Sequence, residues 1–364
     1  MKQETRLFSS FAAAAGLLVA GALLLAPDAA RAQEPALGAA DLLPEDLTPL
    51  GEFEVGTGWT RLLKASGNLA MAHNRNVVGS VDGTNLTLGY LINGGLAYLN
   101  ETREHEWQNS LDWQLSYTRT PAFDLFLKNI DALDFQTAYL YHIPSAPWLG
   151  PFVSFRLKAQ VFPGYLVLSE DTTVTRLGPD GEREPRTDLA GNPIGDRVYE
   201  AGTKIPLTDA FAPTNLRQTV GLFAIPYEER MAKIDLRAGF GAWEMFVRDG
   251  YTIADDEDTP ALEIKRMRDS VQLGPEISAR ITGLIAENVN YGFHATWMYP
   301  VWVSIDTELE GIELLNSEYA FLLGVKLWEW ASLDYSFKAY RLPLIADQWQ
   351  IQNGLLLSIT LQVI

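Results

Sequence analysis

The sequence predicts an all-β fold, an antiparallel transmembrane β-barrel of twelve strands carrying a long extracellular insertion. Three observations predict it. Apolar and polar residues alternate with period two through most of the chain. The alternating segments are even in number and mostly long enough to cross a bilayer at a tilt. The connections between them sort by length, long ones alternating with short ones, which a soluble β-sandwich has no reason to do.

Composition sets the outer limits. The chain has 364 residues, 47% of them apolar, with 29 Gly and 16 Phe, 14 Tyr and 10 Trp, a mixture that suits strands better than helices. Lys and Arg number 28 against 46 Asp and Glu, a formal charge of −18, which argues against a nucleic-acid partner. With no Cys, disulfides, thiolate metal sites and catalytic thiols are excluded. The four His residues, His73, His105, His142 and His294, show no zinc-ligand spacing.

Residues 1–32 read as a cleaved signal peptide. Lys2 and Arg6 form a basic start, an apolar run follows from Leu7 to Ala26, and Ala30-Arg31-Ala32 is a small-x-small cleavage site. Residues 33–58 carry Glu34, Asp41, Glu45, Asp46, Glu52 and Glu54 with no Lys or Arg, punctuated by Pro35, Pro44 and Pro49. They are expected to form an acidic periplasmic segment. The barrel is expected over 59–364.

Strands are predicted near 66–73, 84–99, 105–119, 131–142, 149–162, 216–226, 231–247, 268–284, 288–299, 316–328, 331–342 and 350–364. In the third, Trp107, Leu111, Trp113, Leu115 and Tyr117 oppose Gln108, Ser110, Asp112, Gln114 and Ser116. In the ninth, Tyr291, Phe293, Ala295, Trp297 and Tyr299 oppose Asn290, Gly292, His294 and Thr296. Tyr319, Phe321, Leu323 and Val325 mark the tenth, Leu333, Tyr335 and Phe337 the eleventh, and Ile351, Leu355, Leu357 and Ile359 the last. Aromatic residues concentrate toward strand ends, as an interfacial girdle requires. If the final strand ends in the periplasm, the short connections (100–104, 143–148, 227–230, 285–287 and 329–330) are periplasmic. The others (74–83, 120–130, 163–215, 248–267, 300–315 and 343–349) are then extracellular.

Inward parity selects a lumen lining of Asp112, Asp134, Asp235, Glu276 and Asp334 with Arg156, Lys158, Arg237, Arg280, Lys326 and Lys338. Asp235 and Arg237 should lie near Glu276 and Arg280, and Lys326 near Asp334 and Lys338. Such charge ladders suit a permeation path. Five acids against six bases also suit a network of cross-strand ion pairs that fills a narrow barrel. The near balance leans slightly toward the filled lumen.

The stretch from Trp59 to Thr120 resembles an uncharacterised outer-membrane barrel family of Gram-negative bacteria, the domain-of-unknown-function group three-zero-seven-eight. The residues that carry the likeness are Gly58-Trp59, Asn76 to Gly79, Leu91-Ile92-Asn93-Gly94-Gly95-Leu96 and Glu106-Trp107-Gln108-Asn109-Ser110-Leu111. Trp330-Ala331-Ser332-Leu333-Asp334-Tyr335 and Gln352-Asn353-Gly354-Leu355-Leu356 add to it. The resemblance implies an outer-membrane barrel over 58–364 and no assigned chemistry.

The 163–215 connection is too long for a simple turn. Thr172–Leu177 and Arg197–Ile205 are expected to pair as a hairpin around Gly178-Pro179-Asp180-Gly181, forming a lid, a plug or a binding surface. Acidic loops, including Asp255-Asp256-Glu257-Asp258 and Asp306, Glu308, Glu310 and Glu313, could attract Ca²⁺ or Mg²⁺, although a solvated loop is the plainer reading. His294 beside the Ser278 strand is better read as a hydrogen-bonded lumen group than as half of a hydrolase pair. No cofactor and no enzymatic site is expected. The expectation is a passive or gated pore for small polar solutes, surrounded by outer-membrane lipid and glycolipid. The alternative is a non-conducting barrel with an ion-paired, filled lumen.

Overall fold

The computed structural model describes residues 56–74, 83–119, 126–187, 193–194, 196–254, 259, 261–328, 330–344 and 346–362. The signal segment 1–32, most of the acidic segment 33–58 and the run 255–258 lie outside the described residues. The wall is made of β1 (Gly58–Asn74), β2 (Gly83–Leu99), β3 (His105–Arg119), β4 (Leu127–Tyr141), β5 (Leu149–Ala159) and β6 (Thr214–Glu229). It continues through β7 (Ala232–Phe246), β8 (Ser270–Ala286), β9 (Val289–Met298), β10 (Asn316–Trp328), β11 (Ala331–Leu342) and β12 (Ala346–Gln362).

Each wall strand pairs antiparallel with the next, from β1–β2 through to β11–β12. The last returns to the first through Lys64–Gln362, Ala65–Leu361, Ser66–Thr360 and Gly67–Ile359. The pairing order is therefore a ring, and every wall strand has a partner on both sides. This is the arrangement that lets strands satisfy their own backbone groups without an open edge.

The two faces follow the alternation. Ile92, Leu111, Val153, Val220, Leu236 and Ile277 stand exposed on the outer surface. Asn93, Asp112, Gln114, Asp134, Thr219 and Thr296, from the opposite parity, are buried inside. Aromatic clusters lie at both ends of the apolar belt. Trp59 sits 5.0 Å from Tyr98 and 6.0 Å from Trp107, and Trp328 stacks on Trp330 at 5.5 Å, near the short turns. Toward the long connections, Tyr319 lies 5.8 Å from Trp297 and 5.9 Å from Trp349.

Strand ends differ from the expected ones where polarity hides the pattern. β1 starts at Gly58 rather than 66, because Arg61 faces outward and Lys64 inward, against the hydropathy of each face. β5 stops at Ala159, and β12 starts at Ala346, which shortens the last long-side connection to 343–345. On β6 the ladder shifts register between Ala224 and Tyr227, the step that contains Pro226, which has no N–H to donate. Gly221 of β6 faces Gly239 of β7. A Cβ on Gly221 would lie 2.2 Å from the Ala238 carbonyl oxygen, so the close backbone approach there requires glycine.

In the insertion 160–213 the expected pairing forms only in part. Thr172–Leu177 pairs with only Arg197–Tyr199, whereas Lys204–Thr208, which contains Ile205, returns to Gly164–Val167. The turn at Gly178 closes instead on the adjacent residues, through Gly178 N to Glu182 O at 2.7 Å and a Leu177–Arg183 bridge. The other neighbour of Thr172–Leu177 is Leu262–Arg266, paired in parallel, which in turn pairs with Tyr251–Ile253. The two long insertions thus share a four-stranded sheet. Its apolar face buries Leu168, Val174, Ile205 and Ile264 against Leu166, Tyr199 and Tyr251, a core separate from the barrel. Arg268 to Asp180 and Tyr251 to Glu184 hydrogen bonds join the two insertions at the surface. Among the described residues no group of three or more metal-capable side chains comes together.

Candidate functional site

The lumen is where charged side chains gather, and the geometry of the wall decides which of them meet. Across the β4–β5 ladder Asp134 faces Lys158, and Arg156, two positions along β5, faces Gln136 and reaches Asp134 diagonally. The Arg156 guanidinium donates from Nε to both Asp134 oxygens at 2.9 and 3.0 Å and bonds Oδ2 a second time through Nη2. Lys158 Nζ stands 3.9 Å from the same carboxylate. Asp112 accepts from Asn93 Nδ2 at 2.6 Å, and Asn93 faces Lys64 across the β1–β2 ladder. On β7, Asp235 and Arg237 share the inward face and pair at 2.7 Å, while Asp235 lies opposite Arg280 of β8 in register.

Lys338 does not join Lys326 and Asp334 as the sequence suggested. In the β10–β11 register Lys326 faces Ser332, Asp334 faces Gly324, and Lys338 faces Ala320. Lys326 is exposed at the short-turn end. Six residues of β10 separate its register position from the one facing Lys338, roughly 20 Å along the strand. Asp334 accepts from Ser332 Oγ at 2.6 Å.

One contact was not expected from parity at all. Arg217 of β6 donates from Nη1 and Nη2 to the two carboxylate oxygens of Glu318 on β10, at 2.9 and 2.8 Å. Since β7, β8 and β9 lie between these strands in the ring, this bidentate pair crosses the lumen. Trp243, an inward-facing aromatic of β7, lies beneath Arg217, with the guanidinium carbon 3.5 Å from a ring centroid. The Trp243 indole N–H donates to Glu276 Oε2 at 2.6 Å, and Thr219 Oγ1 donates to Glu276 Oε1 at 3.0 Å. Thr219 on β6 can reach Glu276 on β8 because the intervening face of β7 is bare at Gly239 and Gly241. A Cβ on Gly241 would stand 3.0 Å from Glu276 Oε2.

Two spaces lie along the lumen and share Arg156 and Arg217 in their lining. On the side of the long connections is a chamber of about 370 Å³, lined by Arg156, Lys158, Arg217, Trp243, Glu318 and Lys338 among others. On the other side a cavity of about 50 Å³ is lined by Thr219, Asp235, Arg237, Glu276, Arg280 and His294 among others. Among the described residues, none of the insertion 160–213 lines either space. Below the smaller cavity, toward the short turns, Ala138, Leu140, Phe152 and Phe223 form an apolar cluster with Ile225. All have inward parity, and Phe223 and Leu140 are fully buried, so the β4–β6 side of the lumen is packed at that level.

Two histidines complete the interior. His294 Nε2 lies 3.1 Å from Thr296 Oγ1 and faces Arg280, while Ser278 faces Thr296. His142, in the turn after β4, packs its ring edge-on against Phe223 at 5.0 Å. Its Nε2 lies 2.9 Å from Glu106 Oε2 and its Nδ1 2.7 Å from the Pro147 carbonyl. Both partners are acceptors, so the doubly protonated ring fits best, and the hydrogen bond to Glu106 raises the His142 pKa.

Arg217, Glu318, Trp243, Lys64 and Glu106 were missed by the parity reading. The signal for the first three was present. Val220 and Leu222 facing out put Arg217 inside, Tyr319 and Phe321 do the same for Glu318, and Gly239 and Gly241 share the parity of Trp243.

No family model matches the chain, so its likeness to the three-zero-seven-eight group rests on short motifs alone. No curated protein matches it either. Among solved structures it is similar to an outer membrane channel from Pseudomonas putida F1, at 9% identity and TM-score 0.37, over 86% of this chain and 99% of that one. It is also similar to the translocator domain of the autotransporter NalP from Neisseria meningitidis, at 8% identity and TM-score 0.35, over 84% and 89%. A third is OmpT, an outer membrane protein of Vibrio cholerae, at 9% identity and TM-score 0.29, over 84% and 96%. These superpositions are too loose to transfer anything to this chain.

Proposed function

We propose that the protein is an outer-membrane β-barrel acting as a gated pore for small polar solutes, closed in this conformation at the Arg217–Glu318 bridge. The membrane setting is supported by the apolar outer belt between two aromatic clusters and by the export signal read in 1–32. The shortest wall strand, β9, has 10 residues. At about 3.3 Å per residue and a tilt of about 40° such a strand covers roughly 25 Å, the height of an outer-membrane apolar band. Lipid is then the partner of the outer face.

The observation that carries the pore reading is that an ion pair, Arg217–Glu318, spans the lumen beside the larger chamber. Arg217 and Glu318 come from strands four places apart in the ring, and both are long side chains with rotatable bonds. Arg156, Lys158, Asp235, Arg237, Glu276 and Arg280 would line the path on either side, with Asp112, Asp334, Lys338 and Lys326 along the remaining wall.

The buried cluster around Phe223 favours a second reading, a non-conducting barrel with a filled lumen. Planar-bilayer recording of the refolded protein separates the two. A gated pore gives brief or small steps in the wild type and long-lived openings in Glu318→Gln. Silence from both, with folding verified by circular dichroism and heat-modifiable gel mobility, would leave the filled barrel as the function.

A further inference from the structure

The chamber on the long-connection side of the bridge is built for more than passage. Four cationic side chains line it, Arg156, Lys158, Arg217 and Lys338, against two carboxylates, Glu244 and Glu318, and the Asp134 carboxylate that sits behind Arg156 and Lys158, which leaves an excess of one positive charge. This local excess of positive charge stands in a chain of net charge −18. A concave site lined by one sign of charge with low-dielectric walls concentrates ions of the opposite sign. Its volume of about 370 Å³ falls within the range of small-molecule sites, on the order of 300–1,000 Å³.

A second observation points to a ligand. Gln114 of β3 lines this chamber and is 3% exposed, and among the described residues its amide nitrogen has no hydrogen-bond partner. A buried donor without an acceptor is unfavourable, and a bound acceptor would relieve it. The chamber also presents apolar and aromatic surface through Ile130, Met245, Trp243 and Tyr340. An inorganic anion has no use for such walls, whereas an anion with an apolar body does.

We propose that this chamber binds a small organic carboxylate, with its charged end toward Lys158 and the Gln114 amide and its body against the apolar wall. As the entry of a pore the site rests on the reading given above, but its occupancy is measured without conduction. The test is calorimetric titration of the full folded chain in detergent with benzoate, with neutral benzamide and inorganic sulfate as comparators. Benzoate should bind saturably at one site per chain, about ten-fold or more tighter than either comparator. Gln114→Leu and Lys158→Met should each weaken it by about ten-fold while keeping wild-type gel mobility.

Benzoate binding no tighter than benzamide would overturn the proposal, as would wild-type affinity in Lys158→Met. Sulfate binding as tightly as benzoate would also overturn it, in favour of a plain anion site. If Gln114→Leu fails to fold, Lys158→Met decides alone. Benzoate binding in a protein that never conducts would refute the pore and leave the carboxylate site standing.

Discussion

In the half of the lumen nearest the long connections, side chains meet across the interior through charge, Arg217 reaching Glu318 over Trp243 and above Glu276. In the half nearest the short turns, Leu140, Phe152 and Phe223 turn inward from neighbouring strands and pack against one another. Both regions fill space in the same ring of strands, yet they resist disruption differently. An apolar cluster is held by contact over its whole surface and loses stability in proportion to what is removed. An ion pair is held by two groups whose desolvation offsets much of their attraction, so it can be exchanged or opened at small net change if both partners change together. The difference assigns stability to the lower half and switching to the upper half.

The largest expected effect is in the lower half. Phe223→Ala should destabilise the barrel by about 3–5 kcal/mol in urea unfolding from detergent or lipid, while conductance stays limited by the bridge above. A stable variant, or one that conducts freely, would erase the distinction between the halves. Next comes Glu318→Gln, which leaves Arg217 buried without its carboxylate. The loss should be about 3 kcal/mol, at the low end for buried pairs because both side chains keep some exposure. The double variant Arg217→Met with Glu318→Leu should recover most of that stability.

Trp243→Phe sharpens the comparison at smaller scale. It keeps a ring under Arg217 but removes the donor to Glu276, and should lower stability by about 1–2 kcal/mol. The smallest effect concerns His142. Because the fold raises its pKa, the stabilisation from its contacts is fully present below about pH 6.5 and is lost as pH rises through the raised value. Wild-type stability should therefore decline across that interval by up to about 1 kcal/mol more than His142→Gln. Parallel pH profiles for the two would remove this contribution.

The wall was legible in the sequence because period two ties hydropathy to facing, so Trp107 to Tyr117 or Tyr291 to Tyr299 fixes a strand and its orientation together. What escaped was whatever the alternation does not encode. β1 extends beyond its predicted start because Arg61 faces out and Lys64 faces in. Trp243 and Phe223 violate the rule that aromatics face the apolar side, and each is in the lumen for a local reason, beneath Arg217 or within the cluster of Leu140 and Phe152. The Arg217–Glu318 contact depends on how the ring brings β6 and β10 together, which no local pattern reports. The parallel pairing of Val174 with Leu262 similarly joins two insertions that the sequence presents as unrelated loops.

A charge-exchange cycle on single-channel conductance tests the bridge most directly. The four proteins are wild type, Arg217→Glu, Glu318→Arg, and the exchanged double variant carrying both. If the cross-lumen pair closes the pore, each single variant should stay open for longer than wild type, and the exchanged variant should close again. An exchanged variant as open as the single ones, or single variants as closed as wild type, would contradict it.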